Sequence, residues 1–306
     1  MGRPGVSTGR PNAGESPVLK ALSQVAADER VRAAEAAVRE ACGELRWNEA
    51  LRRRWREARA EAAIRGAIAS GGVEGAVVSA EVLREHVAAG SLTEAATGDP
   101  GLDAVAGLWR AGSRLVGWMP DLVGRGRPMV PPARSLLAVL HRDVAGPLAA
   151  GGRVGLEEVG VPRTGRIRVR EGGPGAAPQE EELAARLEGL LELIEAERAP
   201  ALVRAAIVHA EMLSARPFTA GNSAVGRLLV RHLLVRDGVE PTGTAVSDLY
   251  PGRVPGAYAE AAGAYASGTM EGVAAWVVWQ AEAVLAGVQE AQRLFRAVQV
   301  GTWRAG

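Results

Sequence analysis

The sequence predicts a mainly α-helical protein carrying one short β-hairpin. Apolar residues recur at spacings of three and four through most of the chain, the period of a helix with one buried face. One stretch alone, Val159 to Pro178, gives up that period for Val, Ile, Arg and Gly and ends in a Gly/Pro loop, the pattern of a hairpin. A hydrophobic content of 47% over 306 residues is ample for a buried core.

In chain order, "MGRPGVSTGRPNAGESP" is a polar Gly/Pro/Ser tail, expected to be disordered over residues 1–17. It lacks the apolar core of a signal peptide. No stretch approaches the ~20 apolar residues of a membrane span, so a cytoplasmic location with no membrane partner is expected. From Pro17 to Ile68 the pattern is helical, with a break expected near Cys42-Gly43. Within it "RRRWREAR", Arg52 to Arg59, spreads its charges around the helix and reads as a solvated face rather than a nucleic-acid patch. Further helices are expected over Val82 to Ala89, Leu102 to Val116 and Ser135 to Leu148. After the hairpin they resume over Glu180 to Glu197, Pro200 to Ser214, from Asn222 onward, Ala257 to Ala266 and Met270 to Val298. The expected organisation is an N-terminal helical region over 18–125 and a core over 126–306 that includes the C-terminal helices.

Charge and cysteine content exclude several classes of function. With 36 basic and 35 acidic residues the formal net charge is +1, so no global field recruits nucleic acid or an anionic membrane. Lys20 is the only lysine, and the bias towards Ala, Gly, Arg and Val fits a GC-rich genome rather than a function; a bacterial source is expected. Cys42 is alone, which leaves no intramolecular disulfide and no thiol-rich metal site.

The stretch "VHAEMLSARPFTAGNSAVGRLLVRHLLVRDG", Val208 to Gly238, carries the chemistry. A helix ends at Arg216, because Pro217 disfavours helical geometry in the residue before it. Gly221 frees the turn, and Asn222 is expected to cap the next helix. The first amides of that helix, from Ser223 onward, have no partners within it and form an anion site, over which Arg227 is expected to reach back. The same geometry also fits a turn that binds nothing. His209 lies about 10 Å before Arg216 at ~1.5 Å per residue, beyond direct reach, and reads as a buried structural histidine. His232 reads as a packing or surface residue, and neither His86 nor His141 has a context that assigns it a role.

The order of residues in this stretch resembles the signature of the Fic (Fido) family, His-Pro-Phe-x-Asp/Glu-Gly-Asn-Gly-Arg-x-x-Arg. Pro217, Phe218, Gly221, Asn222 and Arg227 match without a gap. Two further segments agree in order. "SGGVEG", with Ser70, Glu74 and Gly75, resembles the family's inhibitory-helix motif. "VPRTGRIRV", with Arg163, Thr164, Gly165 and Ile167, resembles its target-docking flap. The resemblance implies the Fic/Fido helical fold and a relation to protein AMP-transferases. It implies a phosphate or nucleotide cradle at Phe218, Gly221, Asn222, Ser223 and Arg227, and an inhibitory pair of Glu74 with Arg227.

The departures from the signature fall on the chemistry. Arg216 stands at the catalytic histidine, Ala220 at the Mg²⁺ ligand, Ser223 at the second glycine and Ala224 at the first arginine. Arginine is no general base near neutral pH, and alanine offers a hard cation no side-chain oxygen. No metal site is therefore expected. Three functions follow as expectations: a degenerate Fic protein binding ATP, another nucleotide or a phosphorylated small molecule, or a protein target at the flap; a transferase acting on protein hydroxyls by another mechanism; or a pure protein-interaction module.

Overall fold

The computed structural model describes residues 17–93, 95–124, 126–164, 167–197 and 199–301. The described residues form the helices α1 (Pro17–Ala26), α2 (Glu29–Arg46), α3 (Glu49–Val73), α4 (Ala80–Ala89), α5 (Pro100–Trp118), α6 (Ala133–Ala150), α7 (Glu180–Glu195), α8 (Ala201–Ala215), α9 (Asn222–Arg236), α10 (Leu249–Arg253), α11 (Pro255–Ala266) and α12 (Met270–Val300). No helix among them is long and apolar enough to cross a membrane.

The centre of the fold is the antiparallel pair α8 and α9. All of α9 but Arg236 is buried, and so is all of α8 but Ile207 and Glu211. A helix buried on every face needs neighbours on every side. For α8 these are α1, α7, α11 and α12, and for α9 they are α5 and α6. The pair approaches so closely at Gly226 that a Cβ there would stand 2.8 Å from the His209 ring. α3 packs against α5, α10 and α12, which brings its C-terminal end to the α9 side of the core. One hydrophobic cluster runs from Leu22 to Val298, with the fully buried Trp276 donating through Nε1 to Ala206 O at 2.7 Å.

Four expectations are corrected. Cys42-Gly43 lies inside α2, and the chain breaks instead at Ala27-Asp28 and Trp47-Asn48, where Asp28 and Asn48 cap α2 and α3 with their side chains. Gly43 is tolerated mid-helix because its neighbour Cys42 is wholly buried. No hairpin is shown: among the described residues no strand occurs over 159–178, and those on either side of 165–166 lie against the α8–α9 turn. Their amides serve that turn, Arg163 N to Pro217 O at 2.7 Å and Arg170 N to Thr219 O at 2.8 Å. Arg59 is not solvated, since it lies buried and donates to the carbonyls of Thr242, Pro120 and Pro241. Asn222 is not the N-cap, because Gly221 at φ +76° takes that position and makes Asn222 the first helical residue.

Candidate anion-binding site

The turn between α8 and α9 is built from two left-handed residues. Arg216, at φ +45°, closes α8 by donating its amide to Met212 O, and Gly221 opens α9. Holding a non-glycine residue in that region costs on the order of 1 kcal/mol or more, so neighbours must over-determine it. They do: Arg163 Nε donates to Arg216 O at 2.7 Å, and its Nη2 donates to Ala215 O and Pro178 O. Between the two, the Asn222 side chain accepts from Phe218 N at 2.8 Å and donates to Phe218 O at 3.0 Å. Beneath the turn His141 stacks on Phe218 with ring centroids 3.8 Å apart. Gly160 N donates to His141 Nδ1, so the proton sits on Nε2, which donates to Ala220 O at 3.0 Å. Burial lowers the His141 pKa to about 4.

The free amides of α9 hold an anion, and it belongs to the chain itself. Glu171 Oε2 accepts from Asn222 N at 2.7 Å and Asn222 Nδ2 at 3.0 Å, while Oε1 accepts from Ser223 N at 2.6 Å. Burial and the nearby Glu74 carboxylate push Glu171 above the usual carboxylate range, against the pull of these donors.

Arg227 does not reach over the anion. Its Nη2 donates to Glu74 Oε1 at 2.7 Å, its Nε and Nη2 donate to Ser70 Oγ at 2.9 and 2.7 Å, and Asp248 lies 3.5 Å from Nε. Nη1 donates to Ser223 Oγ. Burial works against the charge, but Glu74, Tyr258 and Asp248 outweigh it and hold the guanidinium above its ordinary pKa. Glu74 reaches this position from the C-cap of α3. Gly75, at φ +80°, donates to Gly72 O, and Ala76 N donates to Gly71 O, a pair of bonds that ends the helix in a fixed orientation. A cavity of about 510 Å³ opens beside the turn, with Glu74, Glu171, Ser223 and Tyr258 in its wall.

The Fic/DOC family model matches residues 134–234, a span that contains the whole turn together with Glu171 and Arg227. Over that span the chain is similar to the Fic/DOC family. The fold is that of solved Fic proteins: one from Desulfovibrio desulfuricans G20 is 19% identical with a TM-score of 0.63, over 85% of this chain and 74% of that one. A fragment of Fic-1 from C. elegans is 19% identical with a TM-score of 0.62, over 95% of this chain and 79% of that one. A variant of that fragment with a glutamate replaced by glycine is 20% identical with a TM-score of 0.58, over 91% and 74%. A search of curated proteins found no match.

Against the Fic signature, the structure brings Ser70, Glu74, Ser223 and Arg227 into one bonded group and places Gly221 and Asn222 in the turn. Phe218 is fully buried under the turn, stacked on His141. Of the flap residues, Arg163 is a buried staple, Thr164 and Ile167 are exposed, and Gly165 lies outside the described residues. His209 is buried between Gln280 Oε1 at 2.8 Å and the Tyr258 hydroxyl at 3.0 Å, with burial lowering its pKa to about 3. His232 is buried as well, edge-on to Trp118. At the family's metal position Ala220 offers only its carbonyl, which already accepts from His141, so the donor set does not fit Mg²⁺.

Sequence reasoning missed Glu171, His141, Asp248 and Tyr258. Only Glu171 carries a local signal, being the sole acidic residue between Val159 and Pro178.

Proposed function

We propose that this Fic/DOC protein binds a phosphorylated ligand, a nucleotide or a small phosphate ester, at the α9 turn and does not transfer AMP. The observation that carries this reading is the engagement of Arg216, the residue at the family's base position. Its Nη2 donates to Gly175 O at 2.5 Å and its Nη1 to Glu171 O at 3.5 Å. A guanidinium engaged as donor to two carbonyls has no lone pair with which to take a proton from an attacking hydroxyl. General-base catalysis is typically worth ~10²–10⁴-fold, and without a metal ligand at Ala220 the charge on a transferring phosphate goes unneutralised. The cradle itself remains competent for an anion, because its amides already hold a carboxylate.

The test is incubation with labelled ATP and Mg²⁺, scored as label on the protein itself. Wild type stays unlabelled, and Arg216→His alone recovers little. Label on wild type that disappears in Arg227→Ala overturns the reading in favour of an active transferase.

A further inference from the structure

Glu171 belongs to no motif of the signature, yet it occupies the site on which the proposed function depends. We propose that the 171–175 segment is a strap that closes the anion cradle with the carboxylate of Glu171, that Arg216 is its anchor, and that a phosphorylated ligand binds by displacing this carboxylate. The inference rests on the phosphate-binding reading above and adds the device that regulates it.

Three features make the strap a competitor rather than an incidental contact. Its two carboxylate oxygens span the successive amides of Asn222 and Ser223, and a phosphate presents a like pair of oxygens to the same donors. The two occupants exclude one another because each backbone amide donates a single hydrogen.

The strap is also fastened at both ends by one side chain. Arg216 donates to the carbonyls of Glu171 and Gly175, and between them Gly173 lies so flat on the end of α8 that a Cβ would stand 2.7 Å from Leu213 O and 2.9 Å from Arg216 Cζ. Just before it, Arg170 N donates to Thr219 O and the Arg170 side chain pairs with Glu158, which holds the approach to the strap while leaving Glu171 the first residue able to swing. The arginine that replaces the base thus acts in its own right, by placing a carboxylate on the cradle.

Finally, the closed state carries its own opposition. Glu171 and Glu74 both line the 510 Å³ cavity, two carboxylates in one partly enclosed space. Burial together with the Glu74 charge disfavours ionised Glu171, so the strap is held less firmly than three N–H donors would hold an isolated anion.

Two measurements on the full chain test the proposal. Amide hydrogen exchange at Asn222 and Ser223, followed without ligand, reads the strap itself. Calorimetric titration with ADP, and separately with inorganic phosphate, reads the competition and distinguishes a nucleotide from a free phosphate as the source of the anion. In Glu171→Ala the two amides should exchange faster by at least about tenfold and ADP should bind at least about tenfold tighter, the scale set by loss of charge-assisted hydrogen bonds. Arg216→Ala should shift both readouts the same way, and Glu171→Gln, which keeps the shape of the side chain, should fall between wild type and Glu171→Ala. Unchanged exchange in Glu171→Ala overturns the strap. Equal ADP or phosphate affinity in wild type and both Glu171 variants overturns the competition while the phosphate-binding reading stands. Exposed amides in Glu171→Ala with no binding of either probe overturn both.

Discussion

Replacing Arg227 by methionine should destabilise the protein by about 3 kcal/mol, the lower end of the range for breaking a buried ion pair. The side chain is 3% exposed and its charge is met by Glu74 at 2.7 Å and Asp248 at 3.5 Å. Methionine fills much of the same volume, so the loss is electrostatic rather than a cavity. Glu74, about a third exposed, is rehydrated, whereas Asp248 stays buried and is left facing Arg231 and Ser70. The remaining field of Arg231 is the reason to expect the lower end of the range. A second variant joining Arg227→Met to Asp248→Asn should recover part of the loss, because removing both charges is milder than removing one. The sign with pH follows from Asp248. Burial already raises its pKa, and losing Arg227 raises it further, so the folded state of the variant takes up a proton before the unfolded state does. The defect should therefore shrink as pH falls from neutrality. Urea denaturation at several pH values, with the slope held in common, measures all of this. A loss under about 1 kcal/mol, or a double variant no better than the sum of the single ones, refutes the reasoning.

Two further outcomes are expected. Glu74→Gly should tighten ADP binding by about 1 kcal/mol, because a competing carboxylate leaves Arg227 while Ser70 and Asp248 still hold the guanidinium in place; calorimetry showing equal affinity would make Glu74 an ordinary helix-end residue. His141, held neutral with a pKa of about 4 against ~6.5 when unfolded, contributes stability that is full above pH 6.5 and lost as pH falls through 4, roughly 3 kcal/mol in all. Protonating Nδ1 would also set two donors face to face, since Gly160 N already points at it. An NMR titration should show the His141 ring unshifted above pH 5, and His141→Gln should lose less stability than wild type between pH 7 and 5.

Much of the molecule was legible because helices are local. The three-and-four spacing located the helices to within a few residues, and the break at Arg216-Pro217 follows from a steric clash between neighbours in sequence. The failures have the same physical origin. A glycine beside a wholly buried cysteine is kept in α2 by packing that no local pattern carries. The alternating Val, Ile and Arg of 159–178 resembles a hairpin strand, yet its amides at Arg163 and Arg170 find Pro217 and Thr219 rather than each other. Asn222 has the chemistry of an N-cap, but a left-handed Gly221 moved the cap one residue back and turned the side chain to Phe218 and Glu171.

The sequence by itself determined the helical class, the Fic-like order of motifs, and the arginine and alanine that stand at 216 and 220, since each depends only on which residue stands where. Tertiary structure alone decided what fills the cradle and where the charges turn. Glu171 lies 51 residues before Asn222, and Glu74 lies 153 before Arg227, so neither pairing has a local signature. Both form because α3, packed on α5, α10 and α12, brings Glu74 to Arg227, while the 159–178 segment lies against the α8–α9 turn. Once a charge is buried there, the large cost of leaving it unpaired selects its partner from whatever the fold brings within reach.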